Sequence, residues 1–310
     1  MLNDICITID IDPDGLSGQF TNRNALTFGA FNALKNSIFD LPEKITNENI
    51  PITWFVRMDE QININNGSYL YLLENNQAFF ENCIRQNHEI AWHPHLYKII
   101  NGIASDILKD TQEIEDNILH IWNEITSNQI HIETFRNGEG WMTTHLFNLL
   151  ESINIKTDSS AIANRIVHDI ESKDWSNIPN HYCYPDFFNC KHIGVKRKTI
   201  ELPMNSWKFQ TSYNPAIKLR YINPAIHKNY FLKGIEYINQ NWNEYKNTDT
   251  WVFITHPDEI TPSKERNLLY ANSIKIYSEN ISLFQEFIEQ KNITVRFSTI
   301  NEATKKYRGN

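Results

Sequence analysis

The chain has 310 residues, of which 41% are hydrophobic and 12% aromatic, enough for one large globular domain or two ordinary ones. Its formal net charge is −8 and its longest basic run is residues 196–198, which argues against nucleic acid or an anionic membrane as its main partner. No apolar run reaches the length of a membrane span.

Short β-type runs alternate along the chain with segments of helical periodicity. Runs rich in β-branched and aromatic residues predict strands at 5–11, 51–56, 89–92, 132–135, 153–156, 199–202, 251–254 and 293–297. Apolar residues at helical spacing predict helices within 107–125, 146–153 and 274–287. Strands separated by helices indicate an α/β protein with a parallel sheet and right-handed crossovers. Seven or eight such units in 310 residues favour a closed barrel over an open sheet.

Residues 160–230 interrupt this alternation. They are rich in Asn, Pro, His and aromatic residues and show little periodicity, and long loops in compact domains tend to be functional. No internal repeat, low-complexity tract or linker divides the chain. We therefore predict a single domain over residues 1–310 that carries an irregular, aromatic-rich insert at about 160–230.

The first predicted strand ends in two carboxylates, Asp10 and Asp12. Side chains two residues apart on a strand share a face, so these two should project together from its carboxyl end. Adjacent carboxylates repel each other unless a metal ion or a proton is shared between them. The pair therefore indicates a candidate active site, and the alternative is a polar turn that uses Asp at turn positions.

In an α/β barrel the active site is formed at the carboxyl ends of the strands. The ends of three further predicted strands carry the segments Trp92-His93-Pro94-His95, Arg136-Asn137-Gly138-Glu139-Gly140-Trp141 and Thr255-His256-Pro257-Asp258-Glu259. Carboxylates, imidazoles and a guanidinium would thus meet at one mouth of the barrel. This combination fits hydrolysis by a metal-activated water with one base and one acid.

These motifs, in this order, resemble the polysaccharide deacetylase superfamily, the NodB-homology domain of carbohydrate esterase family four. The matching segments are Asp10-Ile11-Asp12, Ile52-Thr53-Trp54-Phe55-Val56, Asn87-His88-Glu89-Ile90-Ala91-Trp92-His93, Thr134-Phe135-Arg136, Lys156-Thr157-Asp158-Ser159-Ser160 and Ile254-Thr255-His256-Pro257. They cover most of the chain. The resemblance implies a distorted (β/α)7 barrel.

The resemblance also implies roles for individual residues. Asp10 matches the general base, and Arg136 matches the arginine that positions this base. Asp12 and His93 match ligands of a divalent metal ion, for which the nitrogen and oxygen ligand set favours Zn²⁺. His256 matches the histidine that protonates the leaving amine, and His88 matches a structural position.

One departure from the family pattern concerns the third metal ligand. The family's second histidine ligand lies four residues after the first, where this chain has Tyr97, and His95 lies only two residues after His93. One interpretation is that His93 and His95 both bind the metal together with Asp12. Another is that fewer side chains and more water molecules hold the metal, and a third is that Tyr97 is a weak ligand. Some relatives lack the metal altogether and hydrolyse cyclic amides.

Several other side chains are candidates for substrate binding. Trp92, Trp141 and Trp175 could form an apolar wall around a sugar ring or an acetyl methyl group, and the alternative for at least one of them is a place in the core. Glu139 could bind substrate, pair with Arg136 or lie in an exposed turn. Asp258 and Glu259 could raise the pKa of His256, or they could be solvated loop charges.

The resemblance implies an amide hydrolase that removes an acyl group, in the first instance N-acetyl, from an amino sugar. The alternatives are an allantoinase-like, metal-poor hydrolase of a cyclic or small amide, and a non-catalytic carbohydrate-binding barrel. The first strand begins close to Met1 and leaves no room for a signal peptide, so we expect a cytoplasmic protein. A small sugar, a nucleotide- or lipid-linked precursor or a small amide then fits better than an assembled cell-wall polymer.

Overall fold

The structure is a computed structural model that describes residues 2–14, 26–38, 50–100, 103–262 and 268–308. Its strands are β1 (Leu2–Ile11), β2 (Ile52–Val56), β3 (Glu89–Trp92), β4 (Tyr97–Ile100), β5 (Ile103–Ile107), β6 (Thr134–Phe135), β7 (Thr157–Asp158), β8 (Ile200–Glu201), β9 (Ser206–Thr211), β10 (Asn214–Tyr221), β11 (Thr250–Thr255) and β12 (Thr294–Phe297). Its helices are α1 (Gly29–Leu34), α2 (Glu60–Asn66), α3 (Tyr71–Asn75), α4 (Gln77–Arg85), α5 (Thr111–Ser127), α6 (Thr144–Ser152), α7 (Lys228–Gln240), α8 (Trp242–Tyr245), α9 (Pro257–Ile260), α10 (Ile274–Glu289) and α11 (Ile300–Arg308).

Seven parallel strands form one curled sheet in the order β11-β1-β2-β3-β6-β7-β8, and β12 pairs with the first residues of β1. Every residue of β1 except Leu2 is buried, as expected for a parallel strand that is covered on both faces. β4–β5 and β9–β10 form separate antiparallel hairpins. The predicted α/β class and the curled parallel sheet are confirmed.

The curled sheet is completed by irregular chain and not by strand pairing. Among the described residues, β8 and β11 lie at its two ends and do not pair with each other. Instead, the Ile254 amide donates to the Ile222 carbonyl (3.1 Å), and the Ile222 amide donates to the Asn205 carbonyl (2.8 Å). The Val252 amide donates to Asn205 Oδ1 at 2.6 Å. Residues of the predicted insert therefore close the gap in the barrel.

The helix α5 shows how local sequence sets an element's limits. Asp110 caps it, because the Asp110 carboxylate accepts a hydrogen bond from the Glu113 amide at 2.9 Å. The helix buries one stripe of isoleucines against the sheet, Ile114, Ile118, Ile121 and Ile125. Ile107, which the periodicity had assigned to the same helix, lies in β5 because the helix begins only after Asp110.

Two predicted strands differ from the observed ones near the middle of the chain. Residues 153–156 are not a strand, because α6 continues to Ser152 and the chain then turns through Asn154, whose φ is 71°. The strand follows immediately as β7. The predicted strand at 132–135 is reduced to β6.

The segment 160–230 contains more regular structure than its composition indicates, since it holds β8, β9 and β10 and the first residues of α7. The division of the chain into one domain stays a prediction. Within the described residues, no helix has both the length and the apolar character needed to cross a bilayer.

Candidate active site

The residues predicted at the strand ends lie together at the carboxyl edge of the sheet. His93 Nε2 is 3.8 Å from Asp10 Oδ2 and 3.8 Å from Asp12 Oδ1. His256 Nε2, which follows β11, is 3.5 Å from Asp12 Oδ2. The strand order brings these residues together, because β1 lies between β2 and β11 and β3 lies next to β2.

Asp12, His93 and His95 form a group whose ligand atoms all lie within 4.8 Å of one another. His95 Nε2 is 3.4 Å from Asp12 Oδ1 and 3.3 Å from His93 Nε2. The structure thus brings His95 to the same point as the two residues that the family motifs indicate. A carboxylate and two imidazoles are a common ligand set for zinc.

The ring of His93 is held with one nitrogen free. Its Nδ1 is 2.8 Å from the backbone carbonyl of Arg136. A carbonyl oxygen can only accept, so Nδ1 carries the proton and Nε2 keeps its lone pair. That lone pair faces Asp12, as is usual for a metal-ligating histidine whose other nitrogen is bound to the protein.

The ring of His95 is oriented in the same sense by Tyr97. His95 Nδ1 is 2.6 Å from the Tyr97 hydroxyl, and that hydroxyl donates to Glu139 Oε1 at 3.2 Å. The hydroxyl oxygen therefore accepts from Nδ1, and Nε2 of His95 keeps its lone pair. Burial, and next the Arg57 charge, hold the pKa of His95 well below its usual value, so the ring is neutral.

Three electron-pair donors, from Asp12, His93 and His95, therefore face one another across 3.3 to 3.8 Å. Such an arrangement is repulsive unless a cation lies between the donors. The residues present fit a divalent cation. Tyr97 lies behind His95, at Nδ1, and burial raises the pKa of its hydroxyl, which suits a hydrogen-bond donor better than a phenolate ligand.

Asp10 is held by a buried arginine. Arg136 Nη1 donates to Asp10 Oδ1 at 2.6 Å and to Thr8 Oγ1 at 2.8 Å. Its other nitrogens donate to the carbonyl and the hydroxyl of Ser159, both at 3.0 Å, and its guanidinium lies 3.9 Å from the centre of the Phe55 ring. Arg136 thereby compensates the charge of Asp10 and leaves Asp10 Oδ2 to face the site.

His256 is held by Glu259. Glu259 Oε1 is 3.3 Å from His256 Nδ1, and Glu259 Oε2 accepts the His256 amide at 2.8 Å. Burial by itself would lower the pKa of His256, but Glu259, and to a smaller extent Asp12 and Asp10, raise it to about 10. His256 therefore carries a proton on Nε2 at neutral pH. Of the two acids considered from the sequence, Glu259 is the one in contact with the ring.

Arg57, which follows β2 directly, was not predicted from the sequence as a site residue. Arg57 Nη1 donates to Asp12 Oδ1 at 2.9 Å, and its Nε donates to Asp59 Oδ2 at 2.5 Å. Asp59 Oδ2 also accepts the backbone amide of His95 at 3.0 Å. Arg57 could have been predicted from its position, because it is a charged residue at the carboxyl end of a buried strand, where the other site residues also lie.

The structure corrects the predicted wall of tryptophans. Trp92 and Trp175 have no exposed surface. Their indole N–H groups donate to the carbonyls of Met58 and Gly140, both at 2.8 Å, so they belong to the core and have no face to offer a substrate. Trp141 is 4% exposed and borders a cavity of about 610 Å³ whose lining includes none of the site residues described above.

Glu139 pairs with Lys173 and accepts a hydrogen bond from Tyr97, and it does not pair with Arg136. It adopts a left-handed conformation with φ of 59°, and the tight turn around it packs against His95. A Cβ added at Gly138 would lie 2.2 Å from His95 Cδ2, so only glycine allows the turn to approach the ring this closely.

No family model matches the chain, and no curated protein matches its sequence. Several solved structures match its fold, and two of them are compared with the chain. A candidate polysaccharide deacetylase from Mycobacterium smegmatis is 15% identical with a TM-score of 0.54, over 98% of this chain and 90% of the other. A candidate glycoside hydrolase/deacetylase from Parabacteroides distasonis is 14% identical with a TM-score of 0.56, over 100% of this chain and 72% of the other. At these identities the likeness establishes the fold alone, and the predicted distorted (β/α)7 barrel is confirmed.

Proposed function

We propose that this protein is a metal-dependent amide hydrolase that removes an acyl group, in the first instance N-acetyl, from an amino sugar or a sugar precursor. The observation that carries the proposal is the convergence of Asp10, Asp12, His93, His95 and His256 at one edge of the sheet. Their charges and ring orientations provide a cation site between Asp10, whose charge Arg136 compensates, and the protonated His256.

Asp12, His93 and His95 are the residues that would hold the cation, and we propose Zn²⁺ because the ligands are one oxygen and two nitrogens. When bound, such an ion polarises an acyl oxygen and lowers the pKa of a water molecule. The same three residues argue against the metal-poor alternative, because without a metal ion the Nε2 lone pairs of His93 and His95 would face each other at 3.3 Å beside a carboxylate that Arg57 compensates only in part.

The chain's own residues supply the two proton transfers that amide hydrolysis needs. Asp10 takes the proton of the attacking water on Oδ2, since Oδ1 is occupied by Arg136. His256 gives its Nε2 proton to the departing amine nitrogen, and Glu259 keeps the ring oriented through Nδ1. One proton is thus accepted at Asp10 and one released at His256, so the site returns to its starting state when a proton passes between them through solvent.

The sugar part of the proposal rests on the fold, since one structural neighbour named above is described as a candidate polysaccharide deacetylase and the other as a candidate glycoside hydrolase/deacetylase. The activity itself is tested by measuring acetate release from N-acetylated sugars, nucleotide sugars and short oligomers. Protein stripped with a chelator is compared with protein reloaded with Zn²⁺. We expect release only from the reloaded protein.

A matched pair of variants completes this test. His93→Ala removes a proposed ligand, whereas His131→Ala changes a histidine whose side chain is 84% exposed and lies outside the site. We expect the first variant to lose zinc binding and acetate release and the second to keep both. Equal acetate release by the stripped and the reloaded protein would contradict metal dependence. Tight zinc binding without release of an acyl group from any substrate class would contradict the hydrolase.

A further inference from the structure

A cavity of about 260 Å³ lies beside the candidate active site, on the side of His256. The two share Asn223, which lines the cavity and whose side-chain amide donates to Glu259 Oε2 at 2.7 Å. Tyr270 also lines the cavity and is hydrogen-bonded to Glu259, the residue that holds His256. The cavity is therefore connected to the proposed general acid through Asn223 or Tyr270 and then Glu259.

Arg220, on β10, lines this cavity without a partner. The residue is half-buried with its Nε fully buried, and among the described residues none accepts a hydrogen bond from its guanidinium or forms an ion pair with it. Its contact within the protein is with the ring of Phe209, whose centre is 5.3 Å from Arg220 Cζ. Buried donors in proteins nearly always have an acceptor, and a charged donor without one is costly. The buried Nε of Arg220 is therefore a donor for which an anionic acceptor in the cavity is expected.

The charges of the residues that line the cavity also favour an anionic ligand. Arg165 is a second guanidinium in the lining, and its nitrogens already donate to the carbonyls of Lys173, Glu139 and Gly140. Burial lowers the pKa of Arg165 to about 10, which leaves it charged at neutral pH. The lining residues that the structure describes include no carboxylate. Two positively charged residues thus line the cavity in a chain whose net charge is −8.

We propose that this cavity is a subsite for an anionic substituent of the substrate, a phosphate or a carboxylate, which Arg220 binds through its planar fork of donors. The volume of about 260 Å³ is below that of sites which enclose a whole drug-sized ligand, so it suits one substituent of a larger molecule. The inference rests on the proposed function and narrows it. The substrate class becomes an N-acylated amino sugar that carries a phosphate, a nucleoside diphosphate or an acidic group.

The proposal is tested by substrate preference. Acetate release is compared for N-acetylglucosamine, its 1-phosphate, its uridine diphosphate ester and N-acetylmuramic acid, so that phosphate and carboxylate are distinguished. We expect kcat/KM to favour at least one anionic substrate over the neutral sugar. Arg220→Gln should reduce this preference ratio about 10- to 100-fold, as expected for lost hydrogen bonds to a charged group, and Arg220→Lys should reduce it less.

The matched control is Lys208→Gln. Lys208 lies on β9 opposite Leu219 of β10, is exposed and does not line the cavity, so its removal changes the charge of the same hairpin but should leave the ratio unchanged. A wild-type enzyme without preference for any anionic substrate would overturn the subsite. So would an Arg220→Gln variant that loses the same factor on neutral and anionic substrates.

Failure of the hydrolase and failure of the subsite are separated by a binding measurement. Calorimetry with uridine diphosphate and with N-acetylglucosamine 1-phosphate needs no turnover. Binding that is lost in Arg220→Gln and kept in Lys208→Gln supports the subsite even if no acetate is released from any substrate. If neither ligand binds and calorimetry shows no binding of N-acetylmuramic acid either, the subsite is refuted, whatever the hydrolytic activity.

Discussion

Arg57 Nη1 donates to Asp12 Oδ1 at 2.9 Å, and this oxygen is also the one that lies 3.4 Å from His95 Nε2. A fixed positive charge therefore contacts the same oxygen of the proposed ligand Asp12 that faces His95. The arginine orients the carboxylate, as residues behind a metal ligand commonly do. It also supplies part of the charge compensation that a metal ion would otherwise provide alone.

Arg57→Met should make the stability of the protein strongly dependent on metal. Arg57 and Asp59 are almost completely buried, and removing one member of a buried ion pair costs about 3–5 kcal/mol in the free energy of unfolding. Part of this loss should return on addition of Zn²⁺, because the ion then compensates Asp12. The measurement is the shift in Tm between chelator and excess Zn²⁺, which we expect to be larger in Arg57→Met than in the wild type.

The control for this prediction is Arg85→Met, which removes an arginine exposed at the end of α4. That variant should show the wild-type Tm and the wild-type response to Zn²⁺. If the zinc-induced shift were the same in Arg57→Met and Arg85→Met, Arg57 and the metal would not act on the same carboxylate.

Asp10→Asn should abolish most turnover and keep the metal. The amide cannot accept the proton of the attacking water, and a positioned general base contributes about 10²- to 10⁴-fold to a rate. Its carbonyl oxygen can still accept from Arg136, so the local structure should persist. Acetate-release kinetics and zinc calorimetry on the same preparation check both statements, and Asp12→Asn should instead lose zinc affinity. An Asp10→Asn enzyme that kept more than about a tenth of the wild-type kcat would exclude Asp10 as the base.

Tyr97→Phe should weaken zinc binding although Tyr97 is not proposed as a ligand. The change removes the hydroxyl that accepts from His95 Nδ1 and so leaves the ring free to present either nitrogen. Loss of such an outer contact typically reduces metal affinity about 10- to 100-fold. Tyr213→Phe, at an exposed position next to β10, is the matched control and should bind zinc as the wild type does. Equal zinc affinity in the two variants would mean that His95 needs no support from Tyr97.

The sequence was most informative where burial is uniform. β1, β2 and β11 were found as strands because both faces of a parallel strand are covered, which leaves a run of apolar residues. The hairpin β9–β10 was missed because most residues of β10 are exposed or half-buried and carry no such run. Closure of the barrel through Asn205 and Ile222 was not predictable either, because it depends on backbone contacts of irregular chain.

The candidate site was likewise predictable from the sequence only in part. The strand-end residues Asp10, His93 and His256 could be placed from topology alone, since parallel strands bring their carboxyl ends to one edge. The contacts and burial of each side chain could not be predicted from topology. The sequence does not show which way an aromatic residue faces, so Trp92 was assigned to a substrate wall although it is buried in the core.

Because of His88, the free energy of unfolding should decrease as the pH is lowered from 6.5 to 4. It is buried, and its Nδ1 accepts a hydrogen bond from the Ile52 amide at 3.2 Å. Burial lowers the pKa of His88 from 6.5 to about 4 in the folded protein. In that interval the unfolded chain binds a proton that the folded chain does not, so stability is complete above pH 6.5 and falls as the pH drops towards 4. At about 1.4 kcal/mol per pKa unit the loss is about 3 kcal/mol.

The measurement is the difference in unfolding free energy between the wild type and His88→Gln, because carboxylates also titrate at low pH and affect both proteins. The side-chain carbonyl of the glutamine can still accept a hydrogen bond from the Ile52 amide. Urea denaturation at several pH values should show the two proteins converging or crossing as the pH falls, and parallel curves would exclude His88 as the cause.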